Sequence, residues 1–171
     1  MEIISFSESV TMVTQAMDYP TIYSLPWFGS DGTSLTQQLV DDAPEQSTHL
    51  GLFSTLAAPA ETEKFKNLYD RYYELVSQPY GYYTACTYDI GWILTETILE
   101  AQSTSALDVI PLQMTAAYNH FGASGWTRLN EAGDRYASNY QIWSYNPEPY
   151  VAGLYDMLTG EVTWYIEWPW G

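Results

Sequence analysis

Residues 23–34, YSLPWFGSDGTS, decide the fold of this chain. They predict a short apolar strand that stops at Gly29, a turn that presents Asp31, and a helix over residues 33–40. We expect Gly29 and Gly32 to permit the sharp turn, because glycine adopts backbone angles closed to other residues. In an α/β sheet such a turn lies at the carboxyl end of a strand, where ligands of open sheets bind. Asp31 is therefore a candidate ligand contact; the alternative is that it only caps the following helix.

The segments around this stretch alternate between strand and helix. Strand patterns cover residues 2–6 and 50–55, and Val10, Val13 and Met17 form the apolar stripe of a helix that follows the first strand. The first 56 residues therefore have the order β-α-β-α-β, which is typical of a parallel sheet with helices on its faces.

Beyond residue 56 the chain is helical for a long way. The apolar spacing predicts helices over residues 62–77, 83–101 and 107–118. The residues of the second helix expected to face inward are Cys86, Ile90, Ile93, Leu94, Thr97 and Ile98. Three helices with no strands among them cannot cover both faces of a sheet of their own. We expect them to pack on a sheet that this sequence does not contain, supplied upstream in a longer parent protein or by another chain.

The C-terminal part returns to strands. Strand patterns cover residues 139–145, 150–155 and 162–168, and residues 156–160 have the composition of a hairpin turn. The predicted fold class is therefore α/β, with a parallel sheet and C-terminal antiparallel strands.

The composition excludes several classes of function. A hydrophobic fraction of 46% and an aromatic fraction of 16% exclude disorder. With 21 Asp and Glu against 5 Lys and Arg, the formal charge is −16, which repels nucleic acid and anionic membrane surfaces. No apolar run is long enough to cross a bilayer. Because a core strand pattern follows Met1 at once, we expect a truncated protein or gene whose export signal is not in this chain.

No catalytic or metal-binding constellation is evident. His49 and His120 are the only histidines and lie in different segments, without the spacing of a zinc site. Ser124 lacks the spacing of a nucleophile elbow and is interpreted as a turn residue. Asp41 and Asp42 are interpreted as a solvated helix end. We predict no enzyme activity, no metal and no cofactor.

An ordered set of motifs resembles a known family. The set is WFGSDG at residues 27–32, YD at 88–89, GASGW at 122–126, GDR at 133–135 and VAGLYD at 151–156. In this order and spacing they resemble the C-terminal half of periplasmic solute-binding proteins of the branched-chain amino-acid type, the type I periplasmic binding proteins of ABC transporters.

The resemblance implies a domain organisation. Family members have two Rossmann-like lobes that close on a small ligand and deliver it to an ABC importer. By resemblance, residues 1–56 belong to the second lobe, residues 57–137 contribute helices that pack on the first lobe, and residues 138–171 return to the second lobe. The family is roughly twice this length, so the sheet of the first lobe is absent.

The resemblance also implies site residues. Asp31, with Ser30 beside it, stands where amino-acid-binding members hold the ligand's ammonium group. Ser5 and Phe6 stand at the turn that supplies a second contact in this lobe. Residues that bind the ligand carboxylate belong to the absent half.

The implied partners are a small ligand, an amino acid or amide, and an ABC permease in the parent protein. The implied location is extracytoplasmic, either periplasmic or at the cell surface, and the bare helices imply self-association of the fragment. Two alternatives stay open: a ligand-sensing domain of a receptor or regulator with the same fold, and a protein-interaction surface built on Trp164, Trp168 and Trp170.

Overall fold

The structure, a computed structural model, describes residues 1–136 and 138–167. The chain divides into two compact units. Unit 1 comprises residues 1–58 and the described part of 139–171, and unit 2 comprises residues 59–138. The helices are α1 (Ser9–Ala16), α2 (Pro20–Tyr23), α3 (Gln37–Asp42), α4 (Pro44–Leu50), α5 (Glu63–Val76), α6 (Tyr82–Ala101) and α7 (Ala106–Asn119). The strands are β1 (Phe28–Gly29), β2 (Phe53–Ala57), β3 (Phe121–Gly122), β4 (Gly125–Trp126), β5 (Tyr140–Asn146), β6 (Glu148–Asp156) and β7 (Glu161–Trp164).

Unit 1 is built on a mixed sheet with the strand order β1-β2-β5-β6-β7. β1 and β2 are parallel, and each later pair is antiparallel. The first residues of the chain lie parallel beside β1, where the N–H of Ile3 donates to Phe28 O over 2.8 Å and the N–H of Phe28 donates to Met1 O over 2.8 Å. The predicted α/β class, with parallel and C-terminal antiparallel strands, is confirmed.

Several short elements of unit 1 differ from the sequence expectations. The predicted strand at residues 2–6 is a single bridge from Glu2 to Phe28, and the strand expected over 50–55 is β2. Leu50 instead ends α4, which Gly51 closes in the left-handed conformation at φ 64°. Two helices that the pattern missed, α2 and α4, each begin with proline, whose fixed φ suits a first helical position.

The core of unit 1 lies between the sheet and the surrounding helices. Its buried residues are Ile3, Val13, Ala16, Trp27, Leu39, Ala43, Leu50, Leu52 and Tyr145. Phe53, Ile142 and Ala152 form a second, smaller cluster. Trp164 packs edge-on against Phe53, with ring centroids 5.8 Å apart, so this tryptophan contacts the sheet. Trp168 and Trp170 lie outside the described residues.

Unit 2 contains the three predicted long helices, and the two-stranded β3–β4 sheet follows them. All three helices agree with the sequence expectation to within a residue or two. Thr62 caps α5, because its hydroxyl accepts a hydrogen bond from the N–H of Phe65 over 3.2 Å. Tyr80 fills the space between α5 and α6, and its hydroxyl donates to Phe65 O over 2.7 Å. The three helices therefore form where the local pattern predicts them, and α5 and α6 meet around the buried ring of Tyr80.

Asp89 is the buried charge that organises unit 2. Its carboxylate is 1% exposed and accepts hydrogen bonds from the N–H groups of Ala123 and Ser124 and from the Ser124 hydroxyl, over 2.5–2.8 Å. Gly122 has to be glycine here, since a Cβ would lie 2.1 Å from that carboxylate. Arg135 donates to the Ser124 carbonyl over 2.7 Å. Ser124 thus lies in the β3–β4 turn, which confirms its interpretation as a turn residue.

α6 and α7 both expose apolar side chains. α6 buries Ala85, Asp89 and Thr97, whereas Ile90 and Leu94 are 54% and 38% exposed. The expectation that these two residues face inward is therefore wrong for this chain, because the described strands of unit 2 are only two residues long and provide no sheet to cover them. Tyr83 shares the side of α6 that carries Ile90 and Leu94, whereas Tyr88, Trp92 and Leu99 are exposed on the opposite side of that helix. The exposed apolar residues of α7 are Leu107, Ile110, Met114 and Tyr118.

In the described ranges, 1–136 and 138–167, no helix has both the length and the apolar character that crossing a bilayer requires.

We expect Tyr80 to limit stability at alkaline pH. Burial first, and then the charges of Asp89 and Asp70, raise its pKa from 10.0 to about 12. Since the raised pKa belongs to the folded state, its contribution to stability is complete below pH 10 and is lost as the pH rises towards 12. Urea denaturation between pH 9 and 12 should show a shallower pH dependence for Tyr80→Phe than for the parent chain. The exposed Tyr73→Phe is the control, and equal slopes for Tyr80→Phe and the parent chain would contradict the expectation.

Candidate functional site

The predicted site residues lie after the carboxyl ends of two parallel segments of unit 1. Ser30 and Asp31 follow β1, and Ser5 and Phe6 follow the first segment, which pairs with β1 through the bridge at Glu2. Because carboxyl ends of parallel strands meet at one edge, both turns occur at the same edge of the sheet. The two backbone segments touch: a Cβ on Gly32 would lie 2.4 Å from Ser5 O.

Gly29 and Gly32 allow neighbouring groups to lie close to the backbone of the turn. Neither Gly29 nor Gly32 has a positive φ, so the expectation that they supply special backbone angles is wrong. A Cβ on Gly29 would lie 2.0 Å from Thr33 Oγ1 and 2.6 Å from Ser54 Oγ. A Cβ on Gly32 would lie 2.7 Å from the ring of Phe6 as well as against Ser5 O. The turn therefore fits against its neighbours only without side chains at these positions.

Asp31 begins a 3-10 turn, Asp31–Thr33, and its side chain is exposed. Its Oδ1 accepts a hydrogen bond from the N–H of Gly32 over 2.9 Å. The helix predicted over residues 33–40 starts only at Gln37, and Thr36 occupies its N-cap position. The alternative that Asp31 caps this helix is therefore wrong, since Asp31 is six residues before the helix.

Buried hydrogen bonds hold the turn from beneath. Thr33 Oγ1 lies 2.8 Å from Ser54 Oγ on β2 and donates to Ser30 O over 2.9 Å. Tyr145 on β5 donates its hydroxyl proton to Thr33 O over 2.6 Å and accepts from the N–H of Thr36 over 2.9 Å. Burial raises the pKa of Tyr145, against the hydrogen bond from Thr36, so the hydroxyl stays protonated and able to donate.

Tyr145 was missed by the sequence analysis. It lies 112 residues after Thr33, in a strand whose sequence shows only an alternation of buried and exposed positions. No local motif could indicate its contact with Thr33, because that contact depends on the order of strands in the sheet.

Glu8 is a second carboxylate beside the candidate residues. It accepts hydrogen bonds from the N–H of Phe6 over 3.2 Å and from the Ser5 hydroxyl over 3.4 Å. Its own backbone N–H, and then that of Phe6, hold the pKa of this carboxyl below its usual value. The loop at Ser5 and Phe6 is thus tied to the start of α1 by an ionised group.

Acidic side chains dominate the charge of unit 1. All five Lys and Arg of the chain lie between residues 64 and 135, so residues 1–58 and 139–171 carry carboxylates without a lysine or arginine. Such a surface attracts cationic groups and repels anionic ones. Among the residues that the structure describes, no group of three or more His, Cys, Asp or Glu could hold a metal ion.

The fold is that of a fragment of a type I periplasmic binding protein. A leucine-binding protein of Thermotoga maritima superposes with a TM-score of 0.72 at 18% identity, over 92% of this chain and 45% of its own. A branched-chain amino acid transporter substrate-binding protein of Streptococcus pneumoniae, solved in complex with isoleucine, gives a TM-score of 0.65 at 14% identity, over 95% of this chain and 44% of its own. An ABC transporter substrate-binding protein of Desulfitobacterium hafniense, in complex with Leu, gives 0.58 at 12% identity, over 88% and 43%.

The sequence comparisons add one relative. An uncharacterized protein of Methanocaldococcus jannaschii is 25% identical over 179 residues, which cover 94% of this chain and 42% of that protein. No family model matches the sequence. The chain therefore spans less than half the length of the proteins it matches. At 14–18% identity, the likeness to these structures shows the fold.

We expect Gly32→Ala to destabilise the candidate turn. The new methyl group would have to displace the Ser5 backbone, so the free energy of unfolding should fall by about 1–3 kcal/mol. Gly91→Ala is the matched control, because nothing lies within 4 Å of its Cβ position on α6, and it should stabilise by about 0.5–1 kcal/mol. Urea denaturation of both variants tests this. A Gly32→Ala variant as stable as the parent chain would show that the close approach is absent.

Proposed function

We propose that this chain is part of the extracytoplasmic solute-binding component of an ABC importer, and that it binds an amino acid or a similar small polar ligand. The fold shared with leucine- and isoleucine-bound proteins supports the solute-binding class. The observation that carries the proposal is the turn at Asp31, exposed at the carboxyl ends of parallel strands and rigidly supported.

Asp31 supplies the charge for a ligand ammonium group in this proposal. Ser30, Ser5 and Phe6 complete the contact surface, since the close approach of Gly32 to Ser5 and Phe6 joins the two loops. When a second lobe closes over the turn, the effective dielectric falls and the attraction of a carboxylate for an ammonium group grows. A charge-assisted hydrogen bond of this kind contributes about 1.5–3 kcal/mol.

The excess of acidic side chains in unit 1 also supports a ligand with an ammonium group. Residues 1–58 and 139–171 contain no lysine or arginine side chain to pair with a ligand carboxylate. In the proposal, the groups that bind the carboxylate come from the rest of a longer parent protein.

We propose the following domain organisation for that parent. Residues 1–56 and 138–171 form one lobe, and the helices of residues 57–137 pack on the sheet of another lobe. The exposed apolar residues of α6 and α7 support this arrangement, because a soluble helix rarely leaves its apolar side uncovered. An ABC permease is the proposed partner of the complete protein.

A second candidate function keeps the fold and changes the partner. In a receptor or regulator, ligand closure would be read by another protein instead of a permease. Both roles need the same turn, and the genes beside the parent gene discriminate between them. Permease and ATPase genes favour transport, whereas a kinase or regulator gene favours sensing.

We expect Asp31→Asn in the complete parent protein to raise the dissociation constant of an amino-acid ligand at least tenfold. The amide keeps the size and the hydrogen bond with the Gly32 N–H but removes the charge, and tenfold in the dissociation constant corresponds to about 1.4 kcal/mol. Titration calorimetry with leucine and isoleucine is the measurement. Asp18→Asn, an exposed acid after α1, is the control and should leave affinity unchanged. Unchanged affinity in Asp31→Asn would remove Asp31 from the site.

We expect the isolated chain to self-associate through α6 and α7. Each fully buried Ile or Leu side chain contributes about 1.5–3 kcal/mol, so Ile90→Ser with Leu94→Ser should weaken association more than tenfold. Sedimentation velocity over a range of concentrations is the measurement. Leu158→Ser is the matched control, because this side chain is 84% exposed in the β6–β7 turn of unit 1. If the isolated chain without substitutions stays monomeric at high concentration, the expectation is contradicted.

A further inference from the structure

A cavity of about 350 Å³ lies in unit 2 and uses none of the residues of the Asp31 turn. Its lining includes Lys64, Asn67 and Arg71 of α5, Tyr88 and Trp92 of α6, and His120. We propose that this cavity is a binding site for a small organic anion with a planar, apolar body, such as an aromatic carboxylate.

The α5 side of the cavity carries hydrogen-bond donors. Lys64, Asn67 and Arg71 are spaced i, i+3 and i+7, so they share one face of the helix. Lys64 donates to Phe121 O and lies 5.7 Å from the Phe121 ring centroid, which holds its charge at the cavity. The planar guanidinium of Arg71 suits a carboxylate, because it can donate two parallel hydrogen bonds.

The positive charge at this cavity is unusual for the chain. The whole sequence has 5 Lys and Arg and a formal charge of −16. Lys64 and Arg71, two of these five residues, both line this one cavity, which also contains the side chain of Asp89. The basic side chains at the cavity therefore outnumber the acidic one, and a local excess of positive charge attracts anions.

The α6 side of the cavity carries aromatic rings. Tyr88 and Trp92 are one helical turn apart, with ring centroids 6.2 Å apart and planes at 72°. They are 41% and 49% exposed, although aromatic rings are usually buried. A planar ligand can pack on such a pair in stacked or edge-on geometry. Donors on one side and rings on the other therefore favour an aromatic anion over a bare ion.

The remaining wall contains a polar atom in need of a partner. His120 Nε2 is buried, and no hydrogen-bond partner for it occurs within the part of the chain that the structure describes. It lies 3.8 Å from Asp89 Oδ1, while Nδ1 lies 3.9 Å from Glu96 Oε1. Asp89 itself is satisfied by Ala123 and Ser124. Because Nε2 is buried, it belongs to the wall itself, and the donors that a ligand can reach are those of α5.

The test is titration of the full chain with benzoate, followed by NMR at the Trp92 indole N–H. We expect saturable shifts, and a dissociation constant at least tenfold larger for Arg71→Gln. Arg128→Gln is the matched control, because the Arg128 guanidinium lies 4.4 Å from the ring centroids of Tyr118 and Tyr136 and outside the cavity lining. Circular dichroism of each variant checks that it is folded.

Two further ligands and one variant make the result decisive. Benzamide has the shape of benzoate without its charge, and phosphate has charge without the ring, so both should bind at least tenfold more weakly. Trp92→Leu, followed at the side-chain amide of Asn67 because the indole is gone, should bind benzoate more weakly and phosphate equally well. The proposal is overturned by benzamide or phosphate binding as tightly as benzoate, by an equal loss in Arg128→Gln and Arg71→Gln, or by shifts that do not saturate.

Discussion

The hydroxyl of Tyr145 connects a central antiparallel strand to the turn that carries Asp31. It donates to Thr33 O and accepts from the N–H of Thr36, so it holds both ends of the segment between the 3-10 turn and α3. Buried hydrogen bonds of this kind are costly to break without replacement. Because Tyr145 itself is 1% exposed and packed in the core, the turn inherits the rigidity of the sheet. Exposure of Asp31 on a rigid support is what makes the turn usable as a binding element.

Unit 2 depends on a comparable set of buried hydrogen bonds, in which the central side chain is an acceptor. A carboxylate, Asp89, is buried on α6 and its oxygens accept from the β3–β4 turn, while Arg135 holds the same turn from another side. The short approach of Gly122 to that carboxylate leaves no alternative residue there. The three helices therefore have a defined internal arrangement, although α6 and α7 expose apolar side chains. Asp89 also lines the proposed anion cavity, so the side chain that holds the β3–β4 turn forms part of the cavity wall.

Prediction from sequence succeeded where structure is local. α5, α6 and α7 are long and periodic, and the hairpin turn at residues 156–160 carries its own signal, with Gly160 at φ 74°. Prediction failed for the strand at residues 2–6, because this run of five residues has no clear period and only Glu2 forms a bridge. Asp31 was predicted from its glycine-flanked turn and by resemblance, and Ser30, Ser5 and Phe6 were predicted by resemblance. Their support by Tyr145 and Ser54 was out of reach, since it depends on tertiary contacts between distant segments.

The confinement of every lysine and arginine to residues 64–135 has a practical consequence for mapping this protein. Trypsin cleaves only after these residues, so its cuts all fall between Lys64 and Arg135. Residues 1–64 and 136–171 would be released as two intact peptides that together contain the Asp31 turn, its Tyr145 support and the whole of the larger sheet. Lysine-directed labels would likewise mark the helical unit and the chain's amino terminus alone, which allows the two units to be followed separately by mass spectrometry.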